Sequence, residues 1–181
     1  MGGFLLHAHL SRLHLKSLRQ REVELAPSFS RSFTGAGYCC RLSRPDLFAH
    51  AIITGCSVSF TDSTGIVCYG GGALVENCRV ADANWKESDY DSGIVTYYGS
   101  TTIRRCRVTR ASGTGIRIGA LSVGTVLEDN VVKRTQPAAP AAGYGIVCLN
   151  GSTVLQGNKG AANAGGFISG QYVNAGGNLG N

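Results

Sequence analysis

The stretch Gly65-Ile66-Val67-Cys68, followed by Val75-Glu76-Asn77-Cys78-Arg79-Val80, is written again as Gly93-Ile94-Val95-Thr96 with Ile103-Arg104-Arg105-Cys106-Arg107-Val108. A third copy runs Gly115-Ile116-Arg117-Ile118 with Leu127-Glu128-Asp129-Asn130-Val131-Val132, and a fourth Gly145-Ile146-Val147-Cys148 with Leu155-Gln156-Gly157-Asn158. Half-copies flank them at Ile53-Thr54-Gly55-Cys56-Ser57-Val58 and Gly166-Phe167-Ile168. A repeat of about 20–30 residues marks a solenoid, whose units bury their apolar faces only against their neighbours. Within each copy the apolar residues alternate with period two, so the units are strands.

The copies define columns. Ile66, Ile94, Ile116, Ile146 and Phe167 form one inward column, and Cys68, Thr96, Ile118, Cys148 and Ser169 a second. Val75, Ile103, Leu127 and Leu155 form a third, with Val80, Val108 and Val132 the fourth. Two or three short strands per turn, stacked about 4.8 Å apart, make an all-β parallel β-helix of about five rungs. Cys56, Cys78, Cys106, Asn130 and Asn158 are placed at the bend after the second strand, where amides hydrogen-bond from rung to rung and thiols fill the same space. The segments 81–92, 109–114 and 133–143 differ in length, so one edge carries the insertions and with them the expected binding loops.

The Gly-Ile strand followed by Ile-x-x-Asn-x-Val resembles the right-handed parallel β-helix repeat of the pectin-lyase-like superfamily, over residues 50–170 or so. That resemblance implies the fold and a secreted or cell-surface setting. It does not select among lyase, hydrolase, epimerase or a non-catalytic role. Polygalacturonases of that superfamily open one strand with Asp-Asp and the next with Gly-His-Gly. Here Asp91-Ser92 and Gly113-Thr114-Gly115 stand in those places, so most of their acid/base machinery is missing.

Composition agrees with one small domain: 181 residues, 26 glycines, and 17 basic against 11 acidic side chains. No apolar run reaches the ~18 residues of a membrane span. Residues 48–181 hold ten basic and eight acidic groups, close to neutral, which argues against a nucleic-acid partner. Residues 1–47 lack the repeat and are basic. Leu6, Leu10 and Leu13 give one reading, an amphipathic helix over 4–18 capping the open end of the solenoid. A transit-like leader and a mis-assigned start are the others, and no secretory signal is evident. Seven cysteines leave at least one unpaired, and buried space-filling thiols are expected rather than a disulfide framework.

Outward positions carry the functional expectations. Glu76, Arg104 and Glu128 stack with alternating sign, whereas Arg79 and Arg107 stack like on like. On the first strand Tyr69 and Tyr97 lie one rung apart with Arg117 alongside, a face on which sugar rings stack and a guanidinium meets a carboxylate. The polar loop 82–91 brings Asp82, Glu87, Asp89 and Asp91 together. Crowded carboxylates raise one another's pKa or recruit a hard cation. The expectation is therefore a polysaccharide partner held by Tyr69, Tyr97 and Arg117. Processing, if present, falls to Asp89 and Asp91 as a polysaccharide lyase or glycoside hydrolase. Calcium would be the cofactor, on Asp82, Glu87 and Asp89. The alternative is a non-catalytic structural or adhesive solenoid, including a fragment of a longer one, with that face covered by its own chain. Asn150-Gly151-Ser152 also matches a glycosylation acceptor.

Overall fold

The computed structural model describes residues 52–69, 72–84, 92–139 and 141–180, together with the strand backbones at 13–15, 23–25, 38–41 and 50–51. Among these there is no helix. Five coils contribute three strands each, one to each of three sheets, the last coil adds strands to two of them, and within the coils all pairing is parallel. Sheet I stacks the Gly-Ile strands: Tyr38–Arg41, Ile66–Tyr69, Ser92–Tyr98, Thr114–Leu121, Ile146–Cys148 and Ile168–Gly170. Sheet II stacks His50–Thr54, Gly72–Glu76, Thr101–Arg104, Val126–Glu128, Val154–Gln156 and Val173–Asn174. Sheet III holds the three-residue strands Ser57–Ser59, Arg79–Ala81, Arg107–Thr109, Val131–Lys133 and Lys159–Ala161.

The register reproduces the sequence columns. Ile66 pairs with Ile94, Ile94 with Ile116 and Ile116 with Ile146. Ile53, Val75, Ile103, Leu127 and Leu155 align in sheet II, and Val58, Val80, Val108 and Val132 in sheet III. All of these are essentially buried. The glycine before each isoleucine has a packing reason. A Cβ on Gly65 would stand 2.5 Å from the Val80 Cγ1 of its own coil and 2.7 Å from the Gly93 carbonyl above. Gly93 with Val108 and Gly115 with Val132 repeat the same conflict. The valine fills the space that the missing side chain leaves.

The top coil departs from the expected columns. Ile146 pairs with Ile168, not Phe167, and Cys148 with Gly170, not Ser169. Phe167 is still the buried residue, because its ring lies over Gly160 and Gly180. Gly160 holds the position that valine holds in the coils below. The aromatic plug thus replaces two aliphatic columns at once.

Two bends per coil use a left-handed residue followed by a buried one. Between sheets II and III, Asn77, Arg105 and Asp129 have φ of 53°, 52° and 53° and precede Cys78, Cys106 and Asn130. They are bend residues rather than members of the second strand. Between sheets III and I, Asp82, Arg110 and Arg134 do the same ahead of Ala83, Ala111 and Thr135.

At the first bend the amides form the expected ladder. Asn130 Nδ2 donates to Asn158 Oδ1 (3.0 Å), which also accepts the Asn130 backbone N–H (3.1 Å). Asn158 repeats both bonds with Asn178. The thiols take over the donor role: Cys106 Sγ reaches Val75 O as Asn130 Nδ2 reaches Ile103 O. Cys56, Cys68, Cys78, Cys106 and Cys148 are buried free thiols.

Of the capping helix expected over 4–18, residues Leu13–Leu15 are instead a β-strand, antiparallel to Val23–Leu25, which in turn pairs with His50–Thr54. Leu13 and Leu15 alternate with His14, so the stretch carries a period-two pattern as well as a helical one. The rest of that segment, 4–12 and 16–18, lies outside the described residues.

Candidate functional site

Sheet I presents its outward side chains from positions between the buried isoleucines. Tyr69 and Tyr97 follow Cys68 and Thr96, which are paired across adjacent coils, so the two rings fall one above the other. They stack face to face with centroids 4.7 Å apart and planes within 9°. Both are half-buried. Stacking occupies one face of each ring, so the pair offers its edges and outer faces rather than one broad plane.

The next coil changes the surface above Tyr97. The pairing of Thr114–Leu121 with Ser92–Tyr98 shifts between Ile118 and Leu121. Gly119 sits there, and a Cβ on it would stand 2.7 Å from Thr96 O and 3.2 Å from Tyr97 Cα. Only glycine tolerates that approach, and it places no side chain over the tyrosine column. Arg117 lies two residues earlier, in register with Val95 below and Val147 above. The structure therefore brings Tyr69, Tyr97 and Arg117 onto one sheet face. Val67 and Val95, outward on the same strands, are 6% and 1% exposed, covered rather than presented to solvent.

Glu87, Asp89 and Asp91 lie outside the described residues. Asp82 is described, and both of its carboxylate oxygens accept from Arg110, Nε to Oδ1 and Nη2 to Oδ2 at 2.6 Å each. That bidentate pair raises the Arg110 pKa through the hydrogen bonds first and the charge second. Both oxygens of Asp82 are thus engaged by one guanidinium in this arrangement. Where polygalacturonases carry acid/base groups, Ser92 and Thr114 pair in register and are both buried. Among the described residues Ser92 Oγ has no hydrogen-bond partner. Neither side chain titrates in the range such chemistry needs.

Asn150 does not present a glycosylation acceptor. Its Nδ2, the atom a glycan would occupy, donates to Gly119 O (2.9 Å) and Ser122 O (3.1 Å). Its Oδ1 accepts from Ser152 and Thr153. The tripeptide ties the turn between sheets I and II together.

In the thiol column, hydrogen bonding to Cys78 pushes Cys56 and Cys106 up, with burial adding to the shift. The same contacts pull Cys78 down, so it is the first of the three to ionise. Burial pushes Cys148 up to about 12, with a hydrogen bond from Thr153 acting the other way. Cys56, Cys106 and Cys148 are thereby held in their protonated form at neutral pH.

Sequence reasoning missed a second polar ladder at the bend between sheets III and I. Thr135 N–H donates to Asn163 Oδ1 (3.3 Å), and Asn163 Nδ2 donates to Val132 O (3.1 Å). Its signal is a fixed offset: Thr61, Ala83, Ala111, Thr135 and Asn163 each stand three residues after the sheet III column position. The insertions begin only after that residue.

No helix among the described residues is long and apolar enough to cross a membrane. No curated protein and no solved structure matches the chain significantly. The family model described as the right handed beta helix region matches residues 36–178. With three parallel sheets, in-register columns and an amide ladder at the bend, the chain belongs to the right-handed β-helix family.

Proposed function

We propose that the domain binds a polysaccharide along the sheet I face built by Tyr69, Tyr97 and Arg117. The observation that carries this reading is the stacked tyrosine pair beside a coil position occupied by Gly119, where a flat ring can approach Tyr97. Sugar rings bind through their apolar faces against aromatics, with a few polar groups fixing orientation. Arg117 supplies a guanidinium fork of the kind that takes a carboxylate in two parallel hydrogen bonds. Any processing activity is assigned to Asp89 and Asp91 of the segment 82–91, which connects sheet III to sheet I in sequence.

Binding of the wild-type chain to immobilised glycans, abolished in Tyr97→Ala and in Arg117→Ala, is the expected result. A wild-type chain that binds no glycan on such an array refutes the reading.

A second reading, a structural or adhesive solenoid with this face covered, is favoured by the burial of Val67 and Val95. In that case truncating Tyr97 lowers the melting temperature and leaves no binding to lose.

A further inference from the structure

We propose that the bend between sheets II and III carries a second site, a groove in which Arg79 and Arg107 hold the anionic group of an acidic saccharide. Arg79 and Arg107 occupy the same outward position on adjacent coils, paired in register, about 4.8 Å apart. Both are exposed, and among the described residues neither guanidinium has a hydrogen-bond or ion-pair partner.

The neighbouring charged columns are built differently. Arg104 Nε lies 3.0 Å from Glu76 Oε1 on the coil below, and Arg110 grips Asp82 with two bonds. Those contacts pair opposite signs on adjacent coils and neutralise each other. The Arg79–Arg107 column stacks like on like, and the repulsion persists until an anion enters between the two forks.

The shape supports the charge. A groove of about 440 Å³ opens at this bend, walled by Asn77, Arg79, Arg105, Arg107 and Asp129 over the buried sulfurs of the thiol column. Arg105 is drawn towards Glu76 (3.4 Å), which leaves the strand arginines as the anion donors.

Asp129 decides the ligand class. A carboxylate in the wall repels a second phosphate or carboxylate but accepts hydrogen bonds from hydroxyls, and Asn77 both donates and accepts. One charge for the arginine pair with hydroxyls around it describes an acidic sugar. A single-stranded nucleic acid calls for aromatic platforms beside the phosphates, and among the described residues none lines this groove. The groove lies on a different face from the Tyr69–Tyr97 stack, and it stands or falls without that site.

The test is calorimetric titration of the full chain with a hyaluronan-derived tetrasaccharide, whose carboxylates alternate with neutral, hydroxyl-bearing sugars. A neutral tetrasaccharide and a single-stranded oligonucleotide of matched charge are run beside it. The acidic saccharide is expected to bind, and the Arg79→Gln/Arg107→Gln variant to weaken it about tenfold or more. The arginine-dependent part of this affinity is expected to persist in a Tyr97→Ala background, which separates the groove from the sheet I face. Both arginines are exposed, so the variant folds, with a melting temperature equal to or above that of the wild type once the like charges are gone. No binding of the acidic saccharide, or equal affinity in the double variant, overturns the proposal. Equal, arginine-dependent affinity for the oligonucleotide overturns the saccharide assignment.

Discussion

Replacing Asn130 tests how the solenoid holds its bends, because that side chain is fully buried at the middle of the amide ladder. Asn130→Ala removes the acceptor of the Cys106 N–H (3.0 Å) and the donor to Ile103 O (2.8 Å). Asn158 Oδ1 loses one donor but keeps the Asn130 backbone N–H. An orphaned buried donor costs about 1–3 kcal/mol, and the under-satisfied carbonyl and the void add to it. The expected loss is about 3–4 kcal/mol, or roughly 6–16 °C in melting temperature for a chain of this size. Asn130→Cys is expected to cost about half as much, roughly 1–2 kcal/mol, because a thiol there donates to Ile103 O as Cys106 donates to Val75 O (3.5 Å). Asn130→Asp keeps the acceptor but turns an ionised carboxylate towards Ile103 O and Asn158 Oδ1, which raises its folded-state pKa. Its contribution is then fully present below the unfolded value of about 3.9 and is lost as pH rises through the folded value. That variant should therefore be closest to wild type near pH 4 and weakest at neutrality. Urea unfolding followed by circular dichroism at both pH values measures all three. An Asn130→Ala cost below about 1 kcal/mol would refute the ladder as a source of stability, given what an orphaned donor costs. So would a cysteine variant as damaged as the alanine one.

The glycine column and the thiols give two further tests. Gly93→Ala drives a Cβ into Val108 Cγ1 and to 2.7 Å from Gly115 O, and overpacking of this kind costs about 1–3 kcal/mol. Adding Val108→Ala should show favourable coupling of about 1 kcal/mol in a double-mutant cycle, and strict additivity counts against the shared space. For Cys148, burial raises the thiol from 9.0 to about 12, so its contribution is intact below pH 9 and lost as pH rises towards 12. The melting temperature should fall across that window more steeply in wild type than in Cys148→Val, and parallel curves would contradict the shift.

The regular part of this fold is legible because one residue in two is buried and each coil repeats the one below. The isoleucine, valine and ladder columns needed nothing beyond alternation and spacing. The reading slipped where the chain stops having a coil above it. Phe167 occupies the glycine-isoleucine motif in sequence, but at the last coil its ring turns over Gly160 and Gly180, and Ile168 takes the paired position. Burial of Val67 and Val95 was not legible either. Alternation says which way a side chain points, and an outward residue is covered or open according to segments that obey no repeat. The tyrosine stack was readable as two rings one rung apart, while the register shift at Gly119 was not, since a bulge leaves no trace in a count of residues. The second ladder was present in the sequence at constant offset, and unequal loop lengths just beyond it hid that constancy.

In a stacked solenoid each outward side chain meets its own counterparts above and below, so every column is a test of self-sufficiency. Glu76 with Arg104 and Asp82 with Arg110 pass it, because opposite charges on adjacent coils answer one another. Such pairs at the surface contribute about 0–1 kcal/mol, so their main effect is to leave nothing for an outside partner. Columns that fail the test are where an outside molecule has something to gain. Arg79 under Arg107 fails by charge, and Tyr69 under Tyr97 ends at a coil with no side chain to continue the stack. The two failures lie on different sheets and differ in chemistry, one asking for an anion and the other for a flat apolar ring. A chain-like ligand with both features satisfies each face separately, which is why saccharide chemistry suits both sites although neither depends on the other.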